Sequence, residues 1–362
     1  MKSSEKQTLV YALHCGGLYG TERMALATAS GVADRFRLVI FAPAGRALEE
    51  AARLGMETET FANSKEFARK LRRELAQSRH VAFVATSVSQ SLIYIALNSL
   101  YRRPGSHIHM VHGGASQWGS YGRKRVLNRL PVDIVAVSEY VREQLLQNGV
   151  RPSKVTVITN FLPQDLLIWR PQRAPFSDGG AQTANVPIRR AIVVSRLDPQ
   201  KRVDLLLLAV QRSTALKQME IHIFGEGMDS GSLRDSAKAA GLGNIRFEGF
   251  SDDIPKEMAA SDLLIHLCPT EPFGLVILEA MASGVPVLVP AAGGAGAIVT
   301  HGVSGFHFKA DDVESLEQEL TRIMAMTRGK LDEIVANARE LPLVHFSERQ
   351  GLARYRQLLG VP

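Results

Sequence analysis

Short runs of nearly unbroken apolar residues recur along the chain. In the first half they are Thr8–His14, Arg37–Ala42, Val81–Thr86, His107–His112, Asp133–Ser138 and Val155–Thr159. Strands covered on both faces carry such runs, because neither face meets water. Helical stretches such as Ser64–Gln77 and Glu139–Asn148 lie between them. Strand and helix in alternation make repeated βαβ units and predict a mostly parallel sheet.

The alternation fails from Arg170 to Pro187. That stretch holds Pro171, Pro175, Ser177, Gly179, Gly180 and Pro187 without an apolar period, which predicts a linker or an exposed excursion. Strand-like runs resume at Arg190–Ser195, Glu220–Phe224, Asn244–Glu248, Asp262–Leu267 and Pro286–Pro290. The expected fold is therefore α/β, with two doubly wound, Rossmann-like domains. Residues 1–168 form the first, 169–188 the linker and 189–345 the second, while a helix over 346–360 packs back on the first. One large sheet with an insertion is the competing arrangement, but 362 residues suit two cores better than one. A cleft is expected between the domains, and ligands of such sheets bind beyond the carboxyl ends of the strands.

Composition narrows the class. Hydrophobic residues make up 45% and charged residues 22%, the balance of a soluble globular enzyme. No run approaches the ~18 to 20 apolar residues that cross a bilayer. The polar start Met1–Lys6 leads straight into a strand-like run, so no signal peptide is expected. Cys15 and Cys268 alone cannot make a disulfide framework, which sets the cytoplasm as the expected compartment. The net charge of +7 favours anionic partners: nucleic acid, an acidic membrane or phosphorylated substrates. Nucleic acid is not expected, because no zinc-ligand cluster, recognition-helix motif or aromatic RNA-binding signature is present.

Two segments of the second half carry candidate chemistry. Glu271-Pro272-Phe273-Gly274-Leu275-Val276-Ile277-Leu278-Glu279 follows a strand and is expected to open a helix near Pro272. Free N–H groups near Phe273 and Gly274 would then hold an anion or a polyol edge. The two glutamates would lie ~12 Å apart along a helix axis. That is too far for glycosidase acid–base work, which needs roughly 5 to 9.5 Å. They suit two grips on a long polar ligand; Glu279 also reads as a plain helix residue. Its neighbours are apolar all round, which predicts a buried helix and a partner for the carboxylate. The second segment is Ser195-Arg196-Leu197-Asp198-Pro199-Gln200-Lys201, directly after a strand. Arg196 offers a planar fork and Lys201 a point charge, a combination suited to a diphosphate. Alone, it equally describes a basic surface turn.

Together these segments resemble glycosyltransferase family 4, retaining enzymes of the two-domain GT-B fold. The resemblance spans nearly the whole chain and is strongest from Ile192 to Phe308. It rests on Ser195-Arg196-Leu197 with Lys201, on Glu271 to Glu279 followed by Ala280-Met281-Ala282-Ser283-Gly284-Val285-Pro286-Val287, on Gly293-Gly294 and on His301-Gly302-Val303-Ser304-Gly305. The resemblance implies that Arg196 and Lys201 hold the donor diphosphate. It gives Glu279 the ribose hydroxyls, and Glu271 with the Phe273, Gly274 and Leu275 backbone the donor sugar. In the first domain Thr21 is placed to cap a helix starting at Glu22, and the resemblance matches the glycine loop Gly16-Gly17-Leu18-Tyr19-Gly20, the pair Glu22-Arg23, and His112 as an active-site histidine beside the transferred sugar. Without the resemblance, the loop is a tight turn and His112 a loop histidine.

Departures concern the donor. Relatives carry a glutamate after the Gly-Gly pair, whereas here the stretch is Gly293-Gly294-Ala295-Gly296-Ala297-Ile298, and the family's Asn-Gly is Asn160-Phe161. There is no Asp-x-Asp triplet and no His/Cys cluster with metal spacing, so neither a metal nor another cofactor is expected. The expected reaction moves a hexose from a nucleotide diphosphate sugar to a saccharide or lipid-linked acceptor, in surface polysaccharide or glycolipid synthesis. A nucleotide-sugar epimerase and an inactive nucleotide-sugar-binding regulator are the alternatives. The basic segment Trp118 to Leu130, read as a helix with Val126, Leu127 and Leu130 on one face and Lys124, Arg125 and Arg129 mostly on the other, reads either as a solvated face, which Arg123 on the apolar side favours, or as a contact with an anionic membrane surface from the cytoplasmic side. Arg69, Lys70, Arg72 and Arg73 form a second basic cluster.

Overall fold

The computed structural model describes residues 6–113, 120–164, 171–176 and 188–361. The expected linker falls largely outside them, as do Gly114 and Trp118. The chain divides into two compact units, Met1–Phe161 with Glu348–Pro362, and Leu162–Ser347.

The first unit is built on a parallel sheet of seven strands. These are β1 (Gln7–Ala12), β2 (Phe36–Ala42), β3 (Glu57–Thr60), β4 (Val81–Ala85), β5 (His107–Val111), β6 (Asp133–Ala136) and β7 (Val155–Val157). Their order is β3-β2-β1-β4-β5-β6-β7. The apolar runs are central strands, as their lack of alternation predicts: Leu9 to Leu13 and Val81 to Ala85 are all buried. Asn63 caps the helix Ser64–Gln77 by accepting from the N–H groups of Lys65 and Glu66. Phe67 of that helix meets the edge of Phe41, and Tyr94 of Val88–Tyr101 stacks on Phe83 at 4.2 Å. The last helix, Glu348–Leu359, belongs to this unit. Its Leu358 carbonyl accepts from Ser106 Oγ at 2.7 Å, and Tyr355 is buried beside Met110.

The second unit has six parallel strands: β8 (Arg190–Val194), β9 (Glu220–Phe224), β10 (Ile245–Gly249), β11 (Leu263–Ile265), β12 (Val287–Pro290) and β13 (Phe306–Phe308). Their order is β10-β9-β8-β11-β12-β13. Residues 171–176, expected to be linker, are pinned to this unit. Phe176 is buried in its core with Arg173 stacked over the ring, and Arg173 Nη2 donates to Asp262 at 2.8 Å. In each sheet the strand order reverses once, between β1 and β4 and between β8 and β11. The carboxyl ends at such reversals are where doubly wound folds place ligands.

Candidate functional site

In the second unit, Val194, Ser195, Lys201, His266 and Cys268 line a small pocket at the carboxyl ends of β8 and β11. After β8 the chain makes a single 3-10 turn, Pro199–Lys201, before the helix Val203–Arg212. The turn folds Lys201 back, and its Nζ donates to Glu271 Oε2 at 2.7 Å. Only 16% of either side chain is exposed. His266 Nε2 lies 3.5 Å from the same carboxylate oxygen.

The pair is charged because each partner overcomes the other's burial. Burial pushes the Glu271 carboxyl up, but Lys201 and His266 outweigh it and leave it below the ordinary value. Burial pushes the Lys201 ammonium down, but Glu271 outweighs it and leaves it above. Burial takes His266 down to about 4, so its imidazole is neutral at pH 7. The Cys268 thiol is raised, chiefly by burial, and stays protonated. Arg196 is exposed, with Nη2 2.9 Å from Asp198 Oδ2.

The segment after β11 differs from its expected shape. The helix is Leu275–Ala282, with Gly274 as its N-cap at φ 98°, so Pro272 lies in the loop rather than in the first turn. The helix is also not enclosed all round. Ile277, Leu278, Ala280 and Met281 are buried, while Leu275, Val276 and Glu279 are half-buried on the remaining face. Glu279 is thus spared full desolvation. Phe273 has its ring buried, edge-on to Phe346 at 5.6 Å, which leaves only its backbone for a ligand. Gly293 and Gly294 open a short helix, Gly293–Ile298, against this loop. Gly294 N–H donates to the Glu271 carbonyl at 2.7 Å. A Cβ at Gly294 would come within 2.2 Å of the Pro272 carbonyl oxygen, so that backbone approach requires glycine.

In the first unit, the expected glycine loop follows β1. A Cβ on Gly16 would stand 2.4 Å from the Ala44 carbonyl oxygen, and Gly16 O accepts from Ala47 N–H. Gly16 therefore packs against the loop after β2. Gly17 sits beside the Tyr19 ring. The helix starts at Gly20, not Glu22, and Thr21 is not its cap: Tyr19 is, with Glu22 Oε2 accepting from the Tyr19 N–H at 3.1 Å. His112 follows β5. Burial, then the charge of His14, takes its imidazole down to about 4. Its Nε2 is enclosed, with no hydrogen-bond partner among the described residues. His14 Nδ1 lies 2.9 Å from Thr86 Oγ1, at the end of β4.

The structure thus joins Lys201 to Glu271, sets Arg196 beside them in sequence but outward, and puts Glu279 on the half-buried helix face. Gly16, Gly17 and His112 belong to the other unit. Sequence reasoning missed His266, which carries no motif. It also missed the Gly225-Glu226-Gly227 loop after β9, whose Glu226 carbonyl accepts from Leu197 N–H at 3.0 Å. A Gly-x-Gly directly after a strand was the available signal. Among the described residues, no group of three His, Cys, Asp or Glu side chains is placed to hold a metal ion, and no helix is long and apolar enough to cross a membrane.

Two parallel, doubly wound units with these segments at the strand ends make the GT-B type of fold. The solved structure of Anabaena HepE with UDP and glucose superposes with a TM-score of 0.83 over 98% of this chain and 99% of that one, at 22% identity. The galactosyltransferase WaaB of the lipopolysaccharide outer core superposes at 0.74 over 98% and 99%, at 14% identity. The family model for glycosyl transferases group 1 matches residues 183–341, and that for glycosyltransferase family 4 matches residues 19–165. The chain belongs to the family 4 glycosyltransferases. Curated relatives include an uncharacterised glycosyltransferase of Methanocaldococcus jannaschii, 30% identical over 41% of this chain and 39% of its own length. A D-inositol 3-phosphate glycosyltransferase of Mycobacterium bovis is 26% identical over 66% and 51%. A GDP-mannose-dependent alpha-mannosyltransferase of Mycobacterium tuberculosis is 29% identical over 46% and 37%. The matched segments span about two fifths to one half of these relatives.

Proposed function

We propose that the protein transfers a hexose from a nucleoside diphosphate sugar to a saccharide or lipid-linked acceptor, with retention at the anomeric carbon and without a metal ion, in surface polysaccharide or glycolipid synthesis at the cytoplasmic side of a membrane. The observation that carries this is the Lys201–Glu271 ion pair at the switch point of the second sheet, with Arg196 five residues upstream. Arg196 and Lys201 would meet the diphosphate, Glu279 the ribose, and Glu271 with the Phe273–Leu275 backbone the sugar. In the reaction the bond from the anomeric carbon to the phosphate oxygen breaks. The acceptor oxygen bonds to the same face, its proton passes to a phosphate oxygen, and the nucleoside diphosphate leaves. Charge on that leaving group grows in the transition state, and fixed cations stabilise it. His112 would sit beside the transferred sugar as a neutral imidazole, and Gly16 and Gly17 would allow close backbone approach. One neighbour binds UDP and glucose and one relative is named for GDP-mannose, so the base stays open.

A panel of UDP-, GDP-, ADP- and dTDP-sugars, with acceptor extracts and with EDTA, tests the proposal. Expected is release of one nucleoside diphosphate that survives chelation and yields a product of retained configuration. No release from any donor overturns the transferase reading, and loss under EDTA restored by Mg²⁺ or Mn²⁺ overturns the metal-free one.

A further inference from the structure

His266 brings a ring nitrogen to the site and leaves it unused. The residue is 5% exposed and follows β11 directly, where its N–H donates to the Leu288 carbonyl at 2.8 Å. Its backbone is therefore tied into the sheet, whereas Lys201 rides on a 3-10 turn and Glu271 on the loop that ends at Gly274. His266 Nε2 is enclosed and makes no hydrogen bond among the described residues, although it stands 3.5 Å from Glu271 Oε2. That oxygen already accepts from Lys201 Nζ at 2.7 Å. The imidazole is neutral at pH 7, because burial outweighs the charge of Glu271. A carboxylate only accepts, so the ring atom that faces it carries the single N–H of the neutral ring. Nε2–H is thus a fixed donor just outside hydrogen-bond reach of an oxygen whose present donor is mobile. The Cys268 thiol lines the same pocket but is a weak donor.

A diphosphate competes with Glu271 for Lys201, since an ammonium is a point charge on a flexible stem. Lys201 turned to the phosphates alone would leave a largely buried carboxylate unmatched, which is costly. We propose that His266 is a positioning residue for the transfer reaction: as the diphosphate of the donor draws Lys201 away, His266 Nε2–H takes over Glu271 Oε2 and holds the carboxylate where it meets the sugar. This deepens, and rests on, the reading of Lys201 as a diphosphate contact and Glu271 as a sugar contact. No proton moves and no covalent bond breaks; one hydrogen bond replaces another on the same oxygen. A neutral imidazole does not cancel the charge of the carboxylate, so Glu271 stays a strong acceptor for a sugar hydroxyl. Anchored to the sheet, His266 fixes that carboxylate more narrowly than the turn that bears Lys201.

Two-bond ¹H–¹⁵N spectra of histidine-labelled protein read the exchange, with the His266 ring identified by its loss in His266→Gln. Expected is an Nε2 of the protonated type that moves downfield when UDP or GDP binds. In Lys201→Met it should already stand at the shifted position without nucleotide. That arm needs no donor, so failure of both nucleotides to bind counts against the donor reading alone. An unprotonated Nε2, or one unmoved by a nucleotide that binds or by Lys201→Met, overturns the proposal. Steady-state kinetics read the same role where Lys201→Met does not fold. His266→Leu is expected to keep nucleotide affinity within about twofold and to lower kcat at least about tenfold. His266→Gln, which returns an N–H donor, is expected to recover most of that loss. In a Glu271→Leu background, His266→Leu is expected to cost nothing further. Equal losses in His266→Gln and His266→Leu, or a loss that adds to that of Glu271→Leu, would assign His266 to packing and overturn the proposal.

Discussion

Lys201 and Glu271, seventy residues apart, are locked in a 2.7 Å ion pair at the ends of neighbouring strands' loops. Both are largely buried, so each is the other's main solvent. Removing one partner strands a buried charge, which costs about 3 to 5 kcal/mol, whereas replacing both with apolar groups is often close to neutral. Lys201→Met and Glu271→Leu are therefore each expected to lower the urea midpoint of the second unit, and the double variant to recover most of the loss. Additive losses in the cycle would show that the two side chains are not coupled.

The same pair separates binding from transfer. With ligand absent, Glu271 cancels the charge that a diphosphate would need from Lys201. Glu271→Gln frees that charge while removing a proposed sugar contact. It should bind free nucleoside diphosphate as well as or better than wild type, yet transfer sugar on the order of ten- to a thousandfold more slowly, about 1.4 to 4 kcal/mol in the barrier. Glu279→Gln, on the half-buried face of Leu275–Ala282, should weaken the free nucleotide instead. Calorimetric titration of both variants reads this directly, and equal loss of nucleotide affinity contradicts the division.

Acid should loosen the first unit before the second. Burial depresses His107 to about 4, His109 to about 3 and His112 to about 4, all in the first unit, whereas His266, at about 4, is the strongly depressed one described in the second. A histidine whose folded pKa lies below its unfolded value stabilises the fold at neutral pH. That stability is lost as pH falls from about 6.5 towards the folded value, at roughly 1.4 kcal/mol per pH unit for each group. The Lys201–Glu271 pair adds nothing in this window. Glu271 is lowered, so its contribution fades only below the ordinary carboxylate range, and Lys201 is raised, so its contribution fades only at alkaline pH. Hydrogen exchange at pH 7 and pH 5, corrected for intrinsic rates, should show β1, β4 and β5 losing more protection than β8, β11 and β12. Equal losses would mean that the histidines do not set the acid limit.

The sequence carried the central strands well, since fully buried parallel strands announce themselves as apolar runs. It did not carry β3, Glu57–Thr60, whose Glu-Thr-Glu-Thr pattern is that of a polar edge strand, or β13, three residues long beside a turn. At the site, residue types were legible and pairings were not. Lys201 and Glu271 each looked like a ligand grip, because nothing in a linear sequence reports that two distant loops meet. Lys124 was misplaced for a different reason. Read with a period of 3.6 it falls on a polar face, whereas the 3-10 segment Gly122–Arg129 has a period near 3.0 and turns it inward with Tyr121 and Leu127.

That change of period also redraws the basic surface proposed to meet a membrane. Lys124 and Leu127 are buried and leave it, while Arg123, Arg125, Val126 and Arg129 are exposed. The second cluster, on the helix Ser64–Gln77, is weaker than its composition suggests. Lys70 lies 3.1 Å from Glu59 and 3.5 Å from Glu66, and Arg72 Nε donates to Tyr101 Oη at 3.2 Å. Three exposed arginines near an anionic leaflet contribute about 1 kcal/mol each, enough for reversible association but not for stable anchoring. Co-sedimentation with phosphatidylglycerol-rich vesicles is therefore expected at low salt, to vanish at high salt as the charges are screened, and to be lost on reversing Arg123, Arg125 and Arg129 to glutamate. The three side chains lie outside the core, so the variant should melt near wild type. If wild type stays in the supernatant at low salt, or the reversed variant still sediments, the arginine face is not a membrane contact and the acceptor is reached from solution.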